Sequence, residues 1–248
     1  MKYRLPLAAI LALLLINLPA WSAVSTGSLG DCDQYTDVVF DKIGVINPQY
    51  TVSGAPIYES VTVSMGSVLA GQTVGSTNNT LNNNIPTGPL QLAANAPNVE
   101  TLFDLSLPTN IVVGGSVEGK YFTTPLAILF DKPVSHVCFY LGDLDVNTPT
   151  VIEAYAADGS TVERMNNLSP GTHQYSVGEN TGANLISGIS IYIPEESGGM
   201  DWEGFAVSDL SFSVGVVPEP TTVAIWTLLG IVAFSAAYGS SRSREAKN

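Results

Sequence analysis

Short runs of β-branched and aromatic residues recur along the middle of the chain, separated by Gly, Pro, Asn and Asp. In the run 57–64, the apolar residues Ile57, Val61 and Val63 alternate with more polar ones. A period of two places every second side chain on the same face of a strand. We therefore predict strands with one buried and one wet face over 57–64, 101–107, 126–130, 136–142, 151–157, 186–193 and 209–214.

The segments between the runs fit the same interpretation. Asp158 and Gly159 follow the run 151–157, and an Asp-Gly pair supplies the positive φ that a tight hairpin turn needs. The stretch 71–98 is rich in Asn, Thr, Gly and Pro, which predicts a long surface excursion or an irregular edge. No segment of the domain sustains a helical period. The pattern predicts an all-β fold, a jelly-roll-like β-sandwich over residues 24–216.

The first 23 residues have the three parts of a secretory signal peptide. Lys2 and Arg4 precede an apolar stretch over residues 5–18, and small residues follow as far as Ala23. A retained membrane anchor is the alternative, but this stretch is shorter than the ~20 residues that a span needs. The sequence predicts a signal peptide, 1–23, and export of the domain behind it.

A second apolar segment lies near the other terminus. Residues 221–238 hold no charged side chain, and Arg242, Arg244 and Lys247 follow within a few positions. A segment of this length can cross a thin bilayer as a helix, and basic residues beside a span stay on the cytoplasmic side. We predict a transmembrane helix over 221–238 with its N-terminus outside, which agrees with an exported domain.

The tripeptide Pro218-Glu219-Pro220 stands directly before this span. Both prolines lack an N–H, and a residue before a proline is pushed towards extended geometry, so the junction joins neither a helix nor a sheet. In this order, the tail 217–248 resembles that of the PEP-CTERM class of bacterial exported proteins. The resemblance implies that Pro218, Glu219 and Pro220 form a sorting motif and that an exosortase is the partner. It also implies that the span is a transient anchor, removed during sorting to the cell surface or the extracellular polysaccharide matrix.

The domain is more loosely similar to the β-rich modules found ahead of such tails, on the stretches 125–145, 151–160 and 202–213. That resemblance implies a sandwich and no particular activity. Between residues 24 and 217 the chain has 20 acidic residues and four basic ones, a net charge of −16. A field of this sign repels phosphate backbones and anionic headgroups, so we expect no nucleic-acid partner.

The chain has two cysteines, Cys32 and Cys138, and both remain after export. In an oxidising compartment an even pair is more often bridged than free, which predicts a disulfide. The compartment is the whole basis of this prediction, because sequence cannot show whether the two Cα atoms lie within bridging distance. A zinc site has no support, since there is no CxxC and the only imidazoles are His136 and His173.

Asp143, Asp145 and Asn147 alternate after the predicted strand 136–142, and their oxygens are of the kind that Ca²⁺ prefers. An EF-hand loop would need Gly and Glu where this chain has Thr148 and Ala154. A Ca²⁺ site of another kind, with a third ligand from elsewhere, competes with a solvated turn. Structural Ca²⁺ is the one cofactor that the sequence leaves open.

Trp202 stands in a Gly-flanked turn between Asp201 and Glu203. An exposed indole stacks on sugar rings while carboxylates accept hydroxyl hydrogen bonds, so Trp202 is a candidate carbohydrate contact, with Tyr140 as a second aromatic. The competing interpretation is that Trp202 closes one end of the core. A carbohydrate-binding module would have polysaccharide as its partner.

Paired carboxylates such as Asp201 and Glu203 also raise the question of glycoside hydrolysis. With 20 acidic residues in the domain such spacings arise by chance, and nothing nearby would raise the pKa of one of them. The chain has no GxSxG elbow and no phosphate loop. We expect no catalytic residues and a structural or adhesive role. A carbohydrate-binding module is the alternative, and a polysaccharide-active enzyme is less favoured.

Overall fold

The computed structural model describes residues 36–55, 58–76, 80–105, 107–109, 111–117, 120–121, 124–144, 150–166, 170–178, 185–194 and 204–214. These residues form strands and contain no helix, so the predicted all-β fold is confirmed. The signal peptide and the transmembrane helix lie outside the described residues. In chain order the strands are β1 (Thr36–Asp37), β2 (Gln49–Ser53), β3 (Ser60–Gly66), β4 (Thr73–Val74), β5 (Thr80–Asn83), β6 (Asn98–Phe103), β7 (Ile111–Val117), β8 (Lys120–Tyr121), β9 (Leu126–Val134), β10 (His136–Leu144), β11 (Val151–Tyr155), β12 (Thr161–Asn166), β13 (Gly171–Val177), β14 (Ile186–Pro194) and β15 (Ala206–Ser213).

The strands form two sheets. Sheet A has the order β13-β10-β15-β7-β6, with β1 beside β15 and β8 beside β7. Sheet B has the order β12-β11-β14-β9-β3-β2, with β5 beside the end of β14 and β4 beside β5. The described pairs are antiparallel except for the short pairing of β5 with β14. Two antiparallel sheets agree with the predicted sandwich, and the finer jelly-roll assignment stays a prediction.

The main core lies between the two sheets. In β3, Val61, Val63 and Met65 are buried between half-buried neighbours, as the period of two predicted. Phe130 of sheet B and Phe212 of sheet A meet edge to face, with ring centroids 5.7 Å apart. Side chains from both inner faces interlock in this way, which buries the apolar half of each sheet.

Strands β11 and β14 depart from the prediction of one wet face. All of β11 is buried, and so is β14 up to its last residue. The cause is the segment 67–97, here named the cover segment, whose described residues lie against the outer face of sheet B. The stretch 71–98 is thus the predicted surface excursion, with β4 and β5 as an irregular edge beside β14, and it also covers part of sheet B. The apolar contacts are Leu69, Leu90 and Leu92 with Ala127, Leu129 and Tyr155, and Val68, Leu81, Ala93 and Ala96 with Val151 and Tyr192.

The predicted strands and turn can be compared with the structure one by one. Each of the seven predicted runs overlaps a strand, with boundaries shifted by a few residues. The hairpin is confirmed, because β11 pairs with β12 and Gly159 has a φ of 87°. The sequence pattern did not predict the short strands β1, β4, β5 and β8, nor the longer strands β2, β7 and β13. Polar residues or glycines interrupt the apolar period in these three strands.

Candidate functional site

A buried carboxylate, Glu153, lies on the outer face of sheet B. Its neighbours in β11, Ile152 and Ala154, face the core between the sheets, so Glu153 faces the cover segment. The side chain is 4% exposed. A buried carboxylate is costly unless it is hydrogen-bonded or paired with a positive charge. Its partners therefore decide what this position does.

Three side chains donate hydrogen bonds to the Glu153 carboxylate. The Tyr192 hydroxyl donates to Oε2 at 2.8 Å, and the Asn84 amide donates to the same oxygen at 3.0 Å. The Thr161 hydroxyl donates to Oε1 at 2.9 Å. Arg164 adds a positive charge, with Nη1 3.6 Å from Oε2. Both oxygens are thus engaged, and the carboxylate joins β11, β12, β14 and the cover segment.

Tyr155 extends this network along β11. Its hydroxyl donates to the backbone carbonyl of Asn84 at 2.9 Å, and the Gln72 amide donates to the same carbonyl at 2.9 Å. The Gln72 side-chain carbonyl accepts from the Leu69 N–H at 2.8 Å and from the Ser190 hydroxyl at 3.0 Å. The cover segment is therefore held to sheet B by hydrogen bonds as well as by apolar contact.

The two tyrosines of the network act as hydrogen-bond donors. Burial raises the pKa of Tyr155 above its usual value, and the nearby Glu153 carboxylate raises it further. Burial and the hydrogen bond to Glu153 also raise the pKa of Tyr192. Both phenols stay protonated at any ordinary pH, so they continue to donate. A carboxylate with both oxygens occupied is suited to fixing the fold, whereas a general acid or base needs a position open to substrate.

Most residues that the sequence singled out lie outside the described residues. These are Cys32, Asp145, Asn147, Trp202 and the sorting tail with Pro218, Glu219, Pro220, Arg242, Arg244 and Lys247. Asp143 lies near the end of β10, and the structure describes its backbone only. The calcium, carbohydrate-contact and sorting predictions for these residues stay predictions.

The structure does place the anchor points of the two candidate loops. Residues 145–149 connect β10 to β11, and residues 195–203 connect β14 to β15. The start of β11 pairs with the end of β14, and the end of β10 pairs with the start of β15. The other ends of the sheets meet where β9 turns directly into β10. Both candidate loops therefore leave from the opposite end of the sandwich, here named the loop end.

Tyr140 lies on the outer face of sheet A, on the strand that leads to the loop end. The residue is half-buried and packs against the cluster of Leu107, Val112 and Ala206. Gln174 of β13 and Ser208 of β15 are its register partners on either side. A partly exposed aromatic beside an amide side chain can contribute to a carbohydrate contact.

Cys138 lies on the same outer face, two residues before Tyr140. Its side chain is buried and disulfide-bonded. The chain has one other cysteine, Cys32, which lies outside the described residues, so the pairing of Cys32 with Cys138 stays a prediction. Nearby, the Ser176 hydroxyl makes a hydrogen bond with Nε2 of His136, which links β13 to the start of β10.

Within the described ranges, no group of three His, Cys, Asp or Glu side chains is arranged to hold a metal ion. No helix long and apolar enough to span a bilayer occurs in the described part of the chain, and the segment 221–238 is not among those residues.

The chain resembles known proteins only weakly. No family model and no curated protein matches the chain. The chain is 12% identical to the enzymatically active domain of tailspike protein 4 from bacteriophage CBA120, with a TM-score of 0.25. The matched region covers 68% of this chain and 19% of the tailspike chain. It is 12% identical, with a TM-score of 0.24, to the CBM51-2 domain in complex with GlcNAc and INT domains of Clostridium perfringens ZmpB, covering 70% and 40%. A structure of the CBM51-2 and INT domains from the same protein is 11% identical, with a TM-score of 0.24. That match covers 70% of this chain and 40% of the other. The chain thus spans less than half of each matched structure, and at these TM-scores the similarities decide neither fold nor function.

Proposed function

We propose that this chain is an exported protein of the cell surface or extracellular matrix, sorted by an exosortase and acting in a structural or adhesive, non-catalytic role. The observation that carries the proposal is the order of the tail: Pro218-Glu219-Pro220, the uncharged segment 221–238, then Arg242, Arg244 and Lys247. In this scheme the segment 221–238 anchors the precursor in the membrane.

Two structural observations support this proposal. Cys138 is disulfide-bonded, and such bonds persist in oxidising compartments outside the cytosol. The buried carboxylate of Glu153 has both oxygens occupied by hydrogen bonds, so it serves the fold. A closed polar network of this kind suits a durable domain that keeps its shape outside the cell.

The test is the intact mass of the protein from its native host, measured in the membrane fraction and in the culture fluid. We expect loss of residues 1–23 and of the residues that follow the Pro-Glu-Pro motif in the mature form. A Glu219→Ala variant should keep its tail, whereas Glu245→Ala, a matched loss of one tail carboxylate, should be processed normally. Recovery of the normal chain only in the membrane, with Lys247 still attached, would show a plain anchor and refute sorting.

The alternative function is binding of a matrix polysaccharide at the loop end. The observation that favours it is that the strand ends flanking 145–149 and 195–203 lie at one end of the sandwich, on the side towards which β10 runs beyond Tyr140. This arrangement would let Trp202 meet the Asp143, Asp145 and Asn147 group. Ca²⁺ held there would be structural.

Binding to a panel of polysaccharides, with and without chelator, tests this alternative. Trp202→Ala and Tyr140→Ala should each weaken binding, and Asp145→Asn should remove any dependence on Ca²⁺. Ile85→Ala, which changes an exposed residue of the cover segment, is the control and should bind normally. If Trp202→Ala and Ile85→Ala bind equally well, the loop end is not the site.

A further inference from the structure

We propose that the outer edge of sheet A beside β6 binds an extended, positively charged polypeptide segment as an added strand. The edge consists of residues 43–47 together with residues 100–105, and it is here named the β6 edge. This inference concerns the described domain and holds whether or not the tail is a sorting signal.

Residues 44–47 lie beside β6 and extend sheet A by a short segment of backbone hydrogen bonds. Ile46 faces Glu100 across an antiparallel bridge, between two positions that bond to β6. The N–H and C=O of Ile46 therefore point away from β6, to the open side. An outward donor and acceptor at a sheet edge are the groups to which a further strand adds. The bonds to β6 are Gly44 N–H to Thr101 O at 2.7 Å, Thr101 N–H to Val45 O at 3.1 Å, and Asn47 N–H to Val99 O at 2.8 Å.

Exposed apolar side chains concentrate at this edge. Ile43 and Ile46 are 58% and 59% exposed, and Phe103 and Leu105 are 59% and 76% exposed. Four of the eight large apolar side chains exposed in the described part of the chain thus lie along one short edge. Exposed apolar side chains that are concentrated in one region are typical of interaction surfaces.

The charge at the edge selects the partner. Glu100 and Asp104 lie in the edge, and Asp41 and Lys42 stand directly before residue 43, so acidic residues outnumber the one basic residue there. The whole domain between residues 24 and 217 has four basic residues against 20 acidic ones, so a second copy cannot supply the complementary charge. Like charges across an interface cost free energy, whereas opposite charges favour association. The edge therefore fits a strand in which Lys or Arg alternates with apolar residues.

The probe for this proposal is a short synthetic peptide of alternating lysine and valine, labelled for fluorescence anisotropy and mixed with the full chain in detergent micelles. We expect saturable binding and slowed hydrogen–deuterium exchange over residues 43–47. The same peptide with alternate backbone nitrogens methylated keeps its charge but cannot form the ladder. It should bind at least tenfold more weakly.

Two substitutions complete the test. Ile46→Lys, at an exposed position, should weaken binding of the unmethylated peptide at least tenfold. Ile85→Lys, which adds the same charge at an exposed residue of the cover segment, should change binding less than twofold. Equal binding of the methylated and unmethylated peptides would mean adsorption by charge alone and would overturn the proposal. Unchanged exchange over 43–47, or self-association of the protein through this edge, would overturn it as well.

Discussion

The outer faces of the two sheets consist of similar strands but differ in how far the rest of the chain covers them. On sheet B, the cover segment buries Val151, Glu153 and Tyr155 and meets their polar groups with hydrogen bonds. On sheet A, Tyr140 stays partly exposed between its register partners Gln174 and Ser208. Sheet B's outer face therefore behaves as a second core, whereas part of sheet A's outer face remains available for contact.

The difference shows that the alternation of a strand does not decide which face is wet. Alternation separates two faces, and the rest of the chain decides whether the second face is covered. On sheet B the covering residues come from a stretch in which Asn, Thr and Gly are interspersed with apolar side chains. Its attachment therefore combines apolar contacts with hydrogen bonds to a buried carboxylate.

The largest expected effect comes from removing that carboxylate. Glu153→Ala leaves the Tyr192 hydroxyl without its acceptor in a buried site and removes one of the two acceptors of the Asn84 amide. We expect a loss of about 3 kcal/mol in the free energy of unfolding, as for other buried polar groups that lose their partners. Urea denaturation measures it, and hydrogen exchange should show the cover segment opening first.

Two variants sharpen this prediction. Glu153→Gln keeps one side-chain oxygen acceptor and should lie between the normal protein and Glu153→Ala. Glu59→Ala removes an exposed carboxylate and should change stability by less than about 0.5 kcal/mol. Equal stability of Glu153→Ala and Glu59→Ala would mean that the network does not hold the cover segment.

The second prediction concerns sheet A, where the disulfide of Cys138 is the covalent tie. Replacing Cys138 by Ser should lower the free energy of unfolding by about 2–4 kcal/mol, the usual range for a long closed loop. Cys32→Ser should produce the same loss, and the double variant should lose no more than either single one. A reducing agent should destabilise the normal protein and leave these variants unchanged. A stable Cys32→Ser variant would contradict the predicted pairing.

The third prediction compares one tyrosine on each outer face. Tyr155→Phe removes a buried hydroxyl that donates to the Asn84 carbonyl, so we expect a loss of about 1 kcal/mol. Tyr140→Phe removes a hydroxyl from a partly exposed ring and should cost less than about 0.5 kcal/mol. Thermal or urea unfolding of the pair measures both. Equal losses would erase the proposed difference between the two faces.

The fold class could be predicted because the apolar period of seven runs survives in the strands. The network around Glu153 was missed, although a signal was present: one acidic residue stands among Val151, Ile152, Ala154 and Tyr155 in an otherwise apolar strand. A charge in such a strand needs a partner if the strand is buried. The partner Asn84 lies 69 residues away in a stretch without any periodicity. Contacts of this kind depend on tertiary packing, which local patterns do not encode.

The smallest expected effects are shifts in melting temperature on replacing two aspartates by asparagine, and the two shifts should have opposite signs. Asp209 lies at an irregularity of β15 with a φ of 47°; burial raises its pKa, Thr109 lowers it through a hydrogen bond, and Asp37 raises it. A raised folded-state pKa means that the ionised carboxylate destabilises the fold at neutral pH. Asp209→Asn should therefore raise the melting temperature slightly at pH 7, and the gain should shrink as the pH falls through the raised pKa.

Asp158 in the β11–β12 turn provides the matched control. The Ser160 hydroxyl and N–H donate to it, and these hydrogen bonds lower its pKa. A lowered pKa means that ionisation stabilises the fold above the unfolded-state value, and this contribution is lost as the pH falls through the folded-state pKa. Asp158→Asn should therefore lower the melting temperature slightly at pH 7. If both substitutions shift the melting temperature in the same direction, the burial of Asp209 does not disfavour its charge. The proposed contrast between the exposed Asp158 carboxylate and the partly buried Asp209 carboxylate would then be wrong.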